Sequence, residues 1–93
     1  MAPRFTWDAR KAASNIRKHW VSFAEAATCF GDSLSITIPD PDHSAGEQRF
    51  LLLGMSDRHR LLVVAHIELG DEIRLINARI ASRRERRDYE EGT

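Results

Sequence analysis

The segments Arg49-Phe50-Leu51-Leu52-Leu53-Gly54-Met55 and Leu61-Leu62-Val63-Val64-Ala65-His66-Ile67-Glu68 decide the fold. A half-buried strand alternates apolar and polar residues, but these two are apolar on both parities. Both of their faces must therefore be covered, and they read as neighbouring central strands. Ser56–Arg60 joins them as a hairpin loop. Gly70-Asp71 then makes a tight turn into a further strand, Glu72–Ile76. If only those two residues form the turn, Leu69 faces Glu72, Ile67 faces Arg74, and His66 points away from Arg74. A loop longer by one residue would place His66 and Arg74 on one face.

Upstream of this pair, Leu34-Ser35-Ile36-Thr37-Ile38 alternates as a half-buried strand should, and Pro39-Asp40-Pro41-Asp42 breaks it before an exposed loop through Gly46. Ser22-Phe23-Ala24-Glu25 has capping-box spacing. Its serine can serve one orphan N–H of a helix while the glutamate returns to another. Phe23, Ala26, Ala27 and Phe30 supply that helix with an apolar stripe, and Gly31 stops it. Before it, Arg4–Trp7 alternates as a short strand, and Asp8 can cap a helix running to about His19. Lys18 and His19 then lie where the macrodipole favours cations. Downstream, Asn77 reads as the N-cap of a last, arginine-rich helix. There Arg79, Arg83 and Arg87 would share a face, and Ala78, Ile80, Ala81 and Tyr89 are the apolar residues. The order is β-α-α-β-β-β-β-α: an α+β fold, with a small antiparallel sheet packed with helices, in a single domain over residues 1–93.

Composition removes several function classes. Apolar content of 42% with 30% charged residues suits a folded, water-soluble domain rather than a disordered chain. No apolar run is long enough to span a bilayer, and the first residues lack the apolar core of a secretory signal. The lone Cys29 cannot form an internal disulfide, which fits the cytoplasm, and its apolar neighbours mark it as a buried hydrophobe. The four histidines are scattered, so no zinc site, metal or other cofactor is expected.

Net charge is zero, yet residues 1–20 carry five Lys/Arg against Asp8 alone, and the middle of the chain reverses this balance. Such a layout suits a basic face for nucleic acid, and equally a mixed, well-solvated surface.

Phe5-Thr6-Trp7-Asp8, Lys11, Asn15, Lys18-His19 and Val21–Ala26 resemble the opening signature of the BrnT toxins. Asp40 with His43, Glu47-Gln48-Arg49, Gly54-Met55-Ser56, Arg60–Val64 and Arg74–Arg79 resemble its central and C-terminal motifs, and Ala81 with Glu85 to Tyr89 completes the match. The resemblance implies a RelE-like ribonuclease fold and a toxin that cleaves RNA, without metal, to inhibit translation. It also implies neutralisation by a BrnA-type antitoxin, through which the pair binds operator DNA. Two departures stand out. The family usually has glycine where this chain has Trp20 and His59. Where glycine serves a positive φ, another residue costs roughly 1–2 kcal/mol, so both loops are expected to be reshaped.

Metal-free RNA cleavage needs a base for the 2′-hydroxyl, cations for the phosphorane and an acid for the leaving oxygen. Arg74 and Arg79 suit the phosphate, with salt bridges to Glu72 or Glu85 as the structural alternative. His19 is the candidate acid or base, unless it caps its helix. Glu85 could be a base if burial raised its pKa, and Tyr89 could place a proton or simply pin the last helix. Lys18, Arg83 and Trp20 are candidates for RNA contact. His66, inside an apolar strand, reads as a core histidine. A toxin-like subunit that only binds antitoxin, or a general RNA-binding module, would account for the same charges without chemistry.

Overall fold

A computed structural model describes residues 3–42 and 48–92. His43, Gly46 and Glu47, which enter the sequence reading, lie outside the described residues. The elements are β1 (Arg4–Thr6), α1 (Ala9–His19), α2 (Phe23–Thr28), β2 (Ile36–Pro39), β3 (Arg49–Met55), β4 (Leu61–Leu69), β5 (Glu72–Ile80) and α3 (Arg83–Glu91). A single 3₁₀ turn, Cys29–Gly31, follows α2. The strands form one sheet in the order β1-β5-β4-β3-β2. The predicted element order and α+β class hold. Four strands form the expected antiparallel meander, whereas β1 joins the β5 edge in parallel, pairing Arg4, Phe5 and Thr6 with Glu72, Ile73 and Arg74. That crossover follows from α1 and the rest of the chain lying between the two strands.

The two doubly apolar segments are central, as expected, and residues 61–67 of β4 are all buried. On one sheet face Leu52, Leu62, Val64, Leu75 and Ala78 pack against Val21, Phe23, Ala26 and Cys29. Cys29 is fully buried, and burial pushes its thiol up to about 12, so it behaves as a small hydrophobe. His66 also lies in this core, edge-on to Phe30 and stacked on Phe50. Gly70-Asp71 is the shorter turn, with Leu69 opposite Glu72 and Ile67 opposite Arg74. His66 and Arg74 therefore lie on opposite faces.

The start of the last helix departs from the sequence expectation. Asn77 does not cap a helix, because β5 continues to Ile80. The last helix starts at Ser82, whose side chain accepts from the N–H of Glu85 while Glu85 accepts from the N–H of Ser82. Ser82-Arg83-Arg84-Glu85 thus forms the full capping box. Arg79 is a strand residue, and it shares no helix face with Arg83 and Arg87. At Ser22 only half of a box forms: its hydroxyl accepts from Glu25, but the Glu25 carboxylate turns inward. There it takes two bonds from Arg60 and one, at 2.7 Å, from the hydroxyl of Ser56. That cluster ties α2 to the β3–β4 hairpin.

Beyond β1 the edge of β5 is completed by a side chain. Asn15 of α1 accepts from the N–H of Ala78 at 3.1 Å and donates to its carbonyl at 2.8 Å. Its amide also donates to the carbonyl of Val21 at 3.0 Å. Trp20 and His59, the two residues in place of glycine, have φ of 62° and 61°. Both loops therefore keep a left-handed backbone and are not reshaped to avoid it.

Asn15→Leu removes every partner of a buried N–H and of two carbonyls. It is expected to cost about 3 kcal/mol, read as a lower urea midpoint with unchanged slope. His59→Gly relieves a left-handed backbone at an exposed loop tip and should gain about 0.5–1 kcal/mol by the same assay. Arg60 foremost, helped by Ser56 and opposed by burial, holds the Glu25 carboxyl below its ordinary value of 4.5. Its contribution to stability is then complete above that pH and lost as pH falls through the lowered value. Melting curves of Glu25→Gln should show a lower midpoint at pH 7 and a shallower decline in acid than the unaltered protein.

Candidate RNA-binding groove

The second sheet face carries the charge. Residues paired across strands share a face, so register defines three rows on it. One row is Arg49, Ile67 and Arg74. The next is Ile38, Leu51, Ala65 and Asn77, and the third is Ile36, Leu53, Val63 and Arg79. Strict alternation would send Arg74 and Asn77 to opposite faces. A bulge brings them together: His66 pairs with Leu75 but Ala65 with Asn77, leaving Ile76 as the extra residue.

A groove of about 500 Å³ runs over this face beside α1. Leu51, Ala65 and Ile76 contribute its apolar surface, while Lys11, Ser14 and Lys18 from α1 form one wall. Arg49, Arg79 and Asn77 project from the strands, and Asp40 and Asp42 stand at the far rim. Asn15 explains why α1 stands there. By holding Ala78, it turns Ala12 toward the core and leaves Lys11, Ser14 and Lys18 along the groove.

Arg79 is held in place. Its Nη1 and Nη2 donate to the two carboxylate oxygens of Glu85, each at 2.8 Å. That guanidinium, with the N–H of Ser82 assisting against burial, takes the Glu85 carboxyl down to about 2. The raised pKa that would make Glu85 a base at neutral pH is absent, and the carboxylate instead orients Arg79. Asp32 is likewise engaged: Tyr89 donates to it at 2.6 Å, and the N–H groups of Met55 and Leu34 donate to it as well. That bond, more than burial, pushes the Tyr89 hydroxyl up to about 12. Tyr89 thus pins the C-terminal part of α3, whose residues are otherwise all exposed or half-buried.

Of the residues singled out from sequence, Lys18 and Arg79 meet in the groove. Arg74 lies on the same face but outside the groove, exposed and 3.9 Å from Glu72. His19 is half-buried at the end of α1 and makes no side-chain hydrogen bond to a described residue. Trp20 is 81% exposed and lines a separate hollow with Ile16, Asp57, Arg58 and Arg60. Arg83 is exposed on α3. Lys11, Arg49, Asp40 and Asn77 had a signal in the sequence only as parts of the family-like motifs, because their convergence depends on register and on the docking of α1. Among the described residues, no group of three or more His, Cys, Asp or Glu is arranged to hold a metal.

Comparison with known proteins bears on the family and the fold. The sequence matches, over residues 7–85, the family described as the ribonuclease toxin BrnT of type II toxin–antitoxin systems. A crystal structure of the Brucella abortus ribonuclease toxin BrnT superimposes with a TM-score of 0.68 at 21% identity, covering 88% of this chain and 100% of that one. At that identity the likeness speaks for the fold. A comparison with curated proteins finds no match. With the family pattern running from Trp7 into the capping box of the last helix, the chain belongs to the BrnT family of type II ribonuclease toxins.

Proposed function

We propose that this protein is a metal-independent endoribonuclease that inhibits translation and is neutralised by a BrnA-type antitoxin in the cytoplasm. The observation that carries the reading is the convergence of Lys11, Lys18, Arg49 and Arg79 on one groove. Four cations from three elements, α1, β3 and β5, can balance the charge of successive phosphates and of a phosphorane. The family's place in type II systems supports an antitoxin partner, through which operator DNA would be bound. No helix among the described residues is long and apolar enough to cross a membrane.

In this reading the RNA backbone lies along the α1 wall, with Lys11 and Lys18 against phosphate oxygens. Arg79, its plane fixed by Glu85, stabilises charge on the phosphorane. It retains N–H donors beyond the two engaged by the carboxylate. Asp42 brings an exposed carboxylate to the rim, where it can take the 2′-hydroxyl proton. A lysine of the wall can return a proton to the leaving 5′-oxygen. We assign no step to His19, Tyr89 or Arg74, which lie outside the groove.

Purified free protein is expected to cleave single-stranded RNA in the presence of EDTA. Arg79→Ala should reduce the rate about tenfold or more, as loss of one charge-stabilising donor does elsewhere. Absence of cleavage by the folded, unaltered protein would overturn the reading in favour of a subunit that only binds the antitoxin.

A further inference from the structure

We propose that Asn77 reads one base of the bound RNA, seated over Leu51 and Ala65, and so selects where the chain is cut. This rests on the ribonuclease reading of the groove and adds the contact that discriminates among sequences.

Leu51, Ala65 and Asn77 are one cross-strand row, with two apolar side chains leading to one amide. Rows on one face lie two residues apart along a strand, about 6.6–7 Å. Arg49 and Arg79 occupy the rows on either side. The groove therefore alternates cation, apolar surface with amide, cation. Phosphate contacts position a nucleic acid, whereas contacts to base edges specify its sequence. Cations flanking a small apolar floor match a nucleotide whose phosphates are held while its base lies between them. Single-stranded RNA exposes base edges in this way.

Asn77 has no structural task that accounts for it. It is half-buried in the groove and makes no side-chain hydrogen bond to another described residue. Asparagine is disfavoured within strands, so neither local propensity nor packing recommends it there. Asn15 shows the contrast, since both atoms of its amide are committed to backbone groups. An uncommitted amide offers one donor and one acceptor side by side. That pattern pairs with adenine through N6 and N7, or with another base edge that presents both roles. A carboxylate in its place offers acceptors alone and suits the adjacent N1–H and N2–H donors of guanine.

The test uses the full chain and a set of single-stranded RNA oligonucleotides differing only in the base beside the scissile phosphate. Cleavage rates are compared for the unaltered protein, Asn77→Ala and Asn77→Asp, with thermal melts confirming that all three fold. The unaltered protein should prefer one base. Asn77→Ala should slow cleavage of that base about tenfold and narrow the spread across all four. Asn77→Asp, nearly isosteric, should move the preference toward guanine. If the unaltered protein and Asn77→Ala cleave with the same base preference, this inference is overturned while the ribonuclease reading stands. If the unaltered protein cleaves none of the oligonucleotides, the ribonuclease reading falls and takes the inference with it.

Discussion

The pairing of Asn15 with Ala78 is the constraint from which the rest of the architecture follows. β1 covers β5 only at residues 72–74, so the edge beyond would present unpaired backbone groups. One amide answers both the N–H and the carbonyl of Ala78, and so stands in for a residue of a missing strand. Its third bond, to the carbonyl of Val21, fixes the chain as it leaves α1 and enters the core beside α2. A helix held by a side chain rather than a strand can lie obliquely against the edge. The stripe of α1 that carries Asn15 also carries Lys11, Ser14 and Lys18, so the contact that docks the helix sets these residues along the groove.

The bulge at Ile76 acts together with this contact. Without it, Arg74 and Asn77 would face opposite ways, and the sheet could not gather its polar residues on one side. With it, Leu75 and Ala78 still reach the core while Arg74, Asn77 and Arg79 share the other face. The bulge also falls where β5 loses β1 as a neighbour. The strand's change of parity and its change of partner thus occur in the same short stretch.

Much of this fold was legible because its signals are local. Two doubly apolar runs marked the central strands, Gly70-Asp71 marked a tight turn, and Ser22 and Asp8 marked helix starts. The misplaced start of the last helix has a physical reason. Asn77 is a good cap in isolation, and Ala78, Ile80 and Ala81 could furnish an apolar helical stripe. Pairing with β4 overrides that propensity as far as Ile80, and the capping box at Ser82 takes effect only there. The groove was less legible still. Lys11, Arg49 and Asn77 lie far apart in sequence, and neither a bulge nor a side chain completing a sheet edge leaves a pattern in composition. Arg79 drew attention for its charge, but its bond to Glu85 could be weighed only once strand and helix were placed.

The two left-handed residues show how a local cost is held by a distant contact. His59 directly precedes Arg60, and its backbone directs the chain so that Arg60 reaches back across the hairpin. Arg60 then grips Glu25 with Nε and Nη2, and its Nη2 also donates to the carbonyl of Trp20 at 2.9 Å. One guanidinium therefore joins both strained positions, directly to the carbonyl of Trp20, while a buried carboxylate holds it in place. Each left-handed residue costs on the order of 1–2 kcal/mol, which a charge-assisted cluster of this kind can offset. Glycine at either position would reach the same backbone without strain, but its greater freedom when unfolded would return part of the gain. At Trp20 the substitution does something glycine cannot. It leaves a large aromatic side chain 81% exposed beside Ile16, at the end of the helix that walls the groove. The turn's geometry is thus preserved by Arg60, while its surface is altered by the tryptophan.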